Sequence, residues 1–208
     1  MNAIKERKIV YTSGQIAGRV RAMAAEIDAF YGDEPLVAVC VLKGAVFFFT
    51  DLVRAMRTEN LELDFVRLSS YGKGTSSSRH VVFSKDVDCD ITGKHVLIVE
   101  DVVDSGLSMQ FLMRQFEARG ARSLRLAALV DKNERREVDV RVDFAGFKLE
   151  EGFIVGYGLD YAEKYREPND GNPMPPLRQP FQPAGASCPA GCEIALLRMQ
   201  DGLCPAIA

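Results

Sequence analysis

The chain has 208 residues, with 26 basic and 29 acidic side chains and a net charge of −3. That length suits one domain of roughly 150–200 residues, large enough to bury a core without disulfide or metal staples. The slight acidity argues against broad, sequence-independent nucleic-acid binding. The longest apolar run, 44–50 (GAVFFFT), is far short of the ~20 residues that a membrane span needs.

Residues 1–9 are polar and charged and lack the apolar stretch of a signal peptide. The cysteines are Cys40, Cys89, Cys188, Cys192 and Cys204, an odd number, and the first two lie in or near strand-like segments. A reducing compartment fits best, and the expected setting is cytoplasmic. Thr12 and Gln15 have capping-box spacing, so the first helix is predicted to start near Thr12 or Ser13. Ile16, Val20, Met23, Ala24 and Ile27 then share one helical face. Residues 36–42 (LVAVCVL) read as a strand covered on both faces. A helix over 45–56 and a strand over 61–68 follow.

Residues 69–79 (SSYGKGTSSSR) are polar, rich in Ser and Gly, and without periodicity. They read as a surface linker or a mobile lid. Strand-like pieces of a hairpin are expected over 81–90, with a turn at 91–94. Residues 95–99 (HVLIV) form the clearest buried strand, and Met109, Leu112, Met113 and Phe116 then have helical spacing, with Gly120 as a stop. Further strands are predicted over 124–130, 140–147 and 153–157. Alternating strands and helices predict an α/β fold with a mostly parallel central sheet. From Pro168 onward the composition turns rich in Pro, Gly, Asn and Gln. That tail, 168–208, reads as extended or disordered. Its Cys188 and Cys192, with no nearby His, are a weak metal signal.

The chemistry gathers where the strand at 95–99 runs into EDVVDSGLS (100–108). Glu100 and Asp101 lie at the carboxyl end of a buried strand, where open α/β sheets bind ligands. Asp104 follows, and then a small hydroxyl-rich turn opens a helix. Its backbone N–H groups and hydroxyls can wrap a phosphate. Adjacent carboxylates suit Mg2+ or sugar hydroxyls. A capped helix alone, with Asp104 or Ser105 as N-cap, would not need two further acids. There is no Gly-x4-Gly-Lys-Ser/Thr loop and no Gly-x-Gly-x-x-Gly after a strand, so kinase and dehydrogenase readings lose their main support.

VLIVEDVVDSGLSM (96–109) resembles the phosphoribosyl-pyrophosphate motif of the type I phosphoribosyltransferase family. VLKGAVFFFTDLVR (41–54) resembles that family's first active-site loop, and SSYGKGTSSS (69–78) its flexible loop. LVDKNERR (129–136) and GFIVGYGLDYAEKYR (152–166) resemble the purine-binding part of its hypoxanthine or hypoxanthine-guanine members. The match spans about residues 5–167, and it implies a phosphoribosyltransferase domain over 1–167 with a small hood beside the sheet.

The resemblance implies transfer of phosphoribose from phosphoribosyl pyrophosphate to hypoxanthine or guanine, releasing pyrophosphate. It implies Asp104 as general base at purine N7. Glu100 and Asp101 would hold the ribose hydroxyls, directly or through Mg2+. Ser105, Gly106, Leu107 and Ser108 would bind the 5′-phosphate. Lys43 and Gly44 would contact pyrophosphate, in a loop that often has a cis peptide in this family, and Arg166 would bind it too. Lys132 would donate to the 6-oxo group, Phe153 would stack on the purine, and Ile154 would offer its backbone. Asp160 would approach a second Mg2+, and Ser70 and Tyr71 would close over the pyrophosphate. A homodimer or homotetramer is usual in the family.

One departure stands out. The family commonly continues past position 166 into a short apolar strand, where this chain reads EPNDGNPMPP (167–176). The apolar stretch 194–197 is the candidate replacement. Two other functions would use the same fold. One is a phosphoribosyltransferase for xanthine or a pyrimidine, against which Lys132 with Phe153 favours a 6-oxopurine. The other is a non-catalytic phosphoribosyl-pyrophosphate sensor that binds nucleic acid, for which the acidic chain offers only Arg19 with Arg21 and Arg135 with Arg136 as basic clusters.

Overall fold

The computed structural model describes residues 6–71, 80–150, 152–159 and 194–198. In chain order the elements are β1 (Glu6–Tyr11), α1 (Ser13–Tyr31), β2 (Leu36–Leu42), α2 (Val46–Ala55), β3 (Leu61–Tyr71), β4 (His80–Lys85), β5 (His95–Val103), α3 (Leu107–Ala118), β6 (Ser123–Lys132), β7 (Phe144–Leu149), β8 (Phe153–Val155) and β9 (Ile194–Arg198).

Local chemistry explains the boundaries. Thr12 caps α1: the Gln15 N–H donates to its hydroxyl at 3.4 Å, and the Thr12 N–H donates to Gln15 Oε1 at 2.9 Å. Gly32 ends the helix at φ +56°, a conformation that costs glycine little. The five expected face residues of α1 are all buried, joined by Tyr31.

Six strands form the main sheet in the order β4-β3-β2-β5-β6-β7, parallel throughout except for the β3–β4 hairpin. Strand β2 is apolar at every position because both faces are covered. Its Leu36, Ala38 and Cys40 pack with Ile16, Met23 and Phe48 under α1 and α2. Its Val37, Val39 and Val41 pack with Leu112 and Phe116 under α3.

Several boundaries depart from the sequence reading. Strand β5 continues through Glu100 and Asp101 to Val103, because its pairing with β6 carries on from Glu100–Ala128 to Val103–Asp131. Strand β6 likewise reaches Lys132. The C-terminal piece expected over 140–147 forms later, as β7. Ser69, Ser70 and Tyr71 belong to β3, paired with Val82, Val81 and His80, so the predicted linker or lid does not begin at 69. The rest of it, 72–79, lies outside the described residues.

A second, three-stranded antiparallel sheet has the order β1-β9-β8. It joins the chain's beginning, Glu6–Tyr11, to Ile194–Arg198 and Phe153–Val155. Of the tail expected to be extended or disordered from 168 onward, only Ile194–Arg198 lie among the described residues. These residues form a strand paired on both sides, with β1 and with β8.

Candidate active site

The parallel arrangement brings four strand ends to one edge of the sheet. Leu42 pairs with Arg67 near the end of β3, Cys40 pairs with Val99 just before the two acids, and Val103 pairs with Asp131 beside Lys132. Lys43 and Gly44, Ser70 and Tyr71, Glu100 to Asp104, and Lys132 thus emerge together although they are far apart in sequence.

The loop after β2 is pressed against the acid pair. The Leu42–Lys43 peptide bond is cis. A side-chain carbon at Gly44 would overlap the Asp101 carboxylate, and one at Gly158 would overlap the Gly44 carbonyl oxygen. Three segments therefore meet at van der Waals distance, and glycine is required at both contacts. Burial and the neighbouring Asp101 carboxylate push the Glu100 carboxyl well above the usual carboxylate range. Beneath them, burial and then the two carboxylates raise the Cys40 thiol to about 12, so it stays protonated and inert.

The turn after β5 is open to an anion. Helix α3 begins after Gly106, which stands at φ +84° and has no side chain to cap the helix. Neither Asp104 nor Ser105 is the N-cap, so the capped-helix explanation of this segment fails. Ser105 Oγ accepts from the Leu107 N–H at 3.4 Å, and Ser108 is exposed. The N–H groups of the first helical turn have no intrahelical acceptor, which suits a phosphate.

Asp104 and Lys132 face one another. Lys132 is buried, and its Nζ lies 3.8 Å from Asp104 Oδ1 and 2.8 Å from Glu134 Oε2. Asp104 Oδ1 is itself buried and accepts no hydrogen bond among the described residues. A buried carboxylate oxygen with an open acceptor position is suited to take a proton from a ligand. Phe153 and Ile154 open β8, with Ile154 buried. Asp160 and Arg166 lie outside the described residues.

Three residues were missed as supports of the site. Arg136 donates to the backbone carbonyls of Asp104 (2.9 Å), Val103 (3.0 Å), Lys132 (3.1 Å) and Val140 (3.0 Å), and to the Asp131 carboxylate. One planar guanidinium thereby fixes both the acid-bearing turn and the end of β6. Tyr157 adopts φ +52°, which a bulky residue rarely does, and its buried hydroxyl donates to Asp51 Oδ2 at 2.6 Å. It holds the turn that places Gly158 on the loop after β2. Glu134 is the nearest anion to Lys132 among the described residues, at 2.8 Å. In sequence these residues look like one more charge or one more aromatic. The only signal was their presence in LVDKNERR and GFIVGYGLDY.

A phosphoribosyl transferase domain model matches residues 6–162. The chain belongs to the phosphoribosyltransferase family. It is 42% identical over 159 residues to the hypoxanthine-guanine phosphoribosyltransferase of Bacillus subtilis, covering 76% of this chain and 88% of that protein. It is also 42% identical to the hypoxanthine-guanine-xanthine phosphoribosyltransferase of Tritrichomonas foetus, covering 76% and 86%. Among solved structures, a hypoxanthine phosphoribosyltransferase from Staphylococcus aureus superposes with a TM-score of 0.77 at 32% identity, over 94% of this chain and 92% of that one. The mostly parallel six-stranded sheet with flanking helices is thus the type I phosphoribosyltransferase fold. A nucleic-acid-binding sensor is not favoured.

Proposed function

We propose that this phosphoribosyltransferase moves the 5-phosphoribosyl group from phosphoribosyl pyrophosphate to a 6-oxopurine, hypoxanthine or guanine. The C–O bond to pyrophosphate breaks, a C–N bond to the purine forms, and the purine loses a proton. The observation that carries this reading is the buried, open Asp104 Oδ1 3.8 Å from the Lys132 ammonium, three residues before the first residue of α3, whose N-cap Gly106 has no side chain to cap it.

In this reading the turn Ser105, Gly106, Leu107 and Ser108 binds the 5′-phosphate, Leu107 through its backbone. Lys132 donates to the 6-oxo group, and Asp104 takes or shares the N7 proton. A 6-amino group cannot accept the lysine's bond and sets its own N–H donors against the ammonium, so adenine is rejected. Phe153 stacks on the ring, and Ile154 meets its edge through the backbone. Lys43 and Gly44 contact pyrophosphate, with Arg166 as a second cation and Ser70 and Tyr71 closing the site against water.

Glu100 and Asp101 supply an all-oxygen, doubly acidic donor pair, and burial first, then the neighbouring Asp101 carboxylate, raises the proton affinity of Glu100. Such a pair fits Mg2+, with Asp160 as a further ligand. Bound Mg2+ would neutralise the pyrophosphate charge. The two cysteines among the described residues are free thiols, in keeping with a cytoplasmic setting. No helix among the described residues is long and apolar enough to cross a membrane. Phe47, Leu63 and Phe65 leave apolar surface exposed, which a homodimer or homotetramer would cover.

The test is nucleotide formation from phosphoribosyl pyrophosphate and Mg2+ with hypoxanthine, guanine, xanthine and adenine in separate reactions. Hypoxanthine or guanine should lead, with adenine at least ~10²-fold poorer in kcat/KM. A preference for adenine, or no nucleotide with any 6-oxopurine, would contradict the reading.

A further inference from the structure

We infer that Glu134 is the positioning residue of the purine subsite: it holds the Lys132 ammonium off Asp104 and so keeps both the 6-oxo donor and the proton acceptor available. The inference rests on the roles proposed above for Lys132 and Asp104.

A buried ammonium must find acceptors. Among the described residues, Lys132 Nζ has two carboxylates within reach, Glu134 Oε2 at 2.8 Å and Asp104 Oδ1 at 3.8 Å. Only the first is within hydrogen-bond distance. The second is about 1 Å too long for one, and Asp104 Oδ1 accepts no other bond among the described residues. Removing the Glu134 carboxylate would leave Asp104 as the nearest anion. A small torsional change in the lysine stem would then close the longer contact, filling the acceptor position that the purine proton needs.

Glu134 is itself aimed. Its Oε2 also accepts from the Gly152 N–H at 3.2 Å, directly before β8. The bonds from Lys132 and Gly152 hold its carboxyl below the usual range. One carboxylate therefore ties the end of β6, which carries the 6-oxo donor, to the start of β8, which carries Phe153 and Ile154. The lysine keeps further N–H bonds for the purine oxygen, because an ammonium has three donors. Two of the surfaces that meet the base are thus set at one distance by Glu134, without contact between Glu134 and the reacting atoms.

The experiment compares steady-state kinetics of the full chain with E134A, E134Q, K132A and the double variant K132A/E134A, varying hypoxanthine and phosphoribosyl pyrophosphate separately. E134A should raise the KM for hypoxanthine ~10-fold or more and lower kcat, as loss of a charge-assisted bond does. The KM for phosphoribosyl pyrophosphate should stay within about twofold. E134Q keeps an oxygen for Lys132 and Gly152, and should recover most of the loss. Because Glu134 acts through Lys132, the double variant should be no worse than K132A. Wild-type kinetics in E134A would overturn the inference while leaving the Lys132 reading intact if K132A is impaired. A loss in E134A that adds fully to K132A, or that raises both KM values alike, would reduce Glu134 to a structural support and overturn it too. Unchanged hypoxanthine kinetics in K132A would overturn both the inference and the reading beneath it.

Discussion

Tyr157 shows how a residue outside the reacting groups governs where they stand. At φ +52° its backbone is in a region that bulky side chains avoid. The 2.6 Å bond from its hydroxyl to Asp51 on α2, together with a ring stacked near Phe47, keeps it there. The next residue, Gly158, abuts the Gly44 carbonyl, and Gly44 abuts Asp101. Tyr157→Phe removes one hydrogen bond to a carboxylate and leaves the ring in place. It should cost about 1–2 kcal/mol, a fall of roughly 2–8 °C in Tm for a chain of this size. Thermal unfolding monitored by circular dichroism measures it. An unchanged Tm would show that packing alone holds the turn.

At the scale of elements, the β3–β4 hairpin is anchored by one buried carboxylate. Asp64 Oδ1 accepts from the Phe65 N–H at 2.7 Å, and Oδ2 accepts from Asp88 and Cys89 at 2.7 and 2.8 Å. Burial raises its carboxyl, but the N–H bonds from Cys89, Phe65 and Asp88 outweigh burial and hold it below its ordinary value of 3.8. A folded value below the unfolded one means that the unfolded chain binds the proton more readily. The contribution to stability is therefore complete above the unfolded value and is lost as pH falls from there through the folded one. Asp64→Asn keeps one accepting oxygen where two receive three donors, and should cost about 1–3 kcal/mol at neutral pH. Chemical denaturation between pH 3 and 7 should show a shallower acid loss in the variant. Parallel curves would assign the acid sensitivity elsewhere, Asp86 with its Arg119 partner being the next group.

The same elements show what sequence could and could not say. The Thr12–Gln15 cap, the α1 face and the two-sided β2 were legible because each depends on residues within a few positions. The acids after 99 were legible because charge interrupting an apolar strand is conspicuous. The partners of Tyr157 and Arg136 were not, since Asp51 lies 106 residues from Tyr157 and the Asp104 carbonyl 32 from Arg136. The β1–β9 pairing joins the two ends of the described chain, and no local pattern encodes it. Its late strand was visible only as an apolar stretch inside a Pro-rich tail.

Across the whole molecule, the sheet works as a device for concentrating distant residues. Parallel pairing from β3 through β6 aligns four carboxyl ends, with α2 and α3 in the crossovers between the paired strands. The antiparallel sheet β1-β9-β8 then carries Phe153 and Ile154 beside it. The proposed reaction rests on one residue, Asp104, to accept the proton that the purine must lose. The most direct measurement is kcat for nucleotide formation by Asp104→Asn, alongside binding of phosphoribosyl pyrophosphate with Mg2+. The expected result is a fall in kcat of ~10²–10⁴-fold with binding held within a few-fold, because the amide keeps the shape and cannot take the proton. Turnover near wild type would contradict the assignment and send the proton to another group.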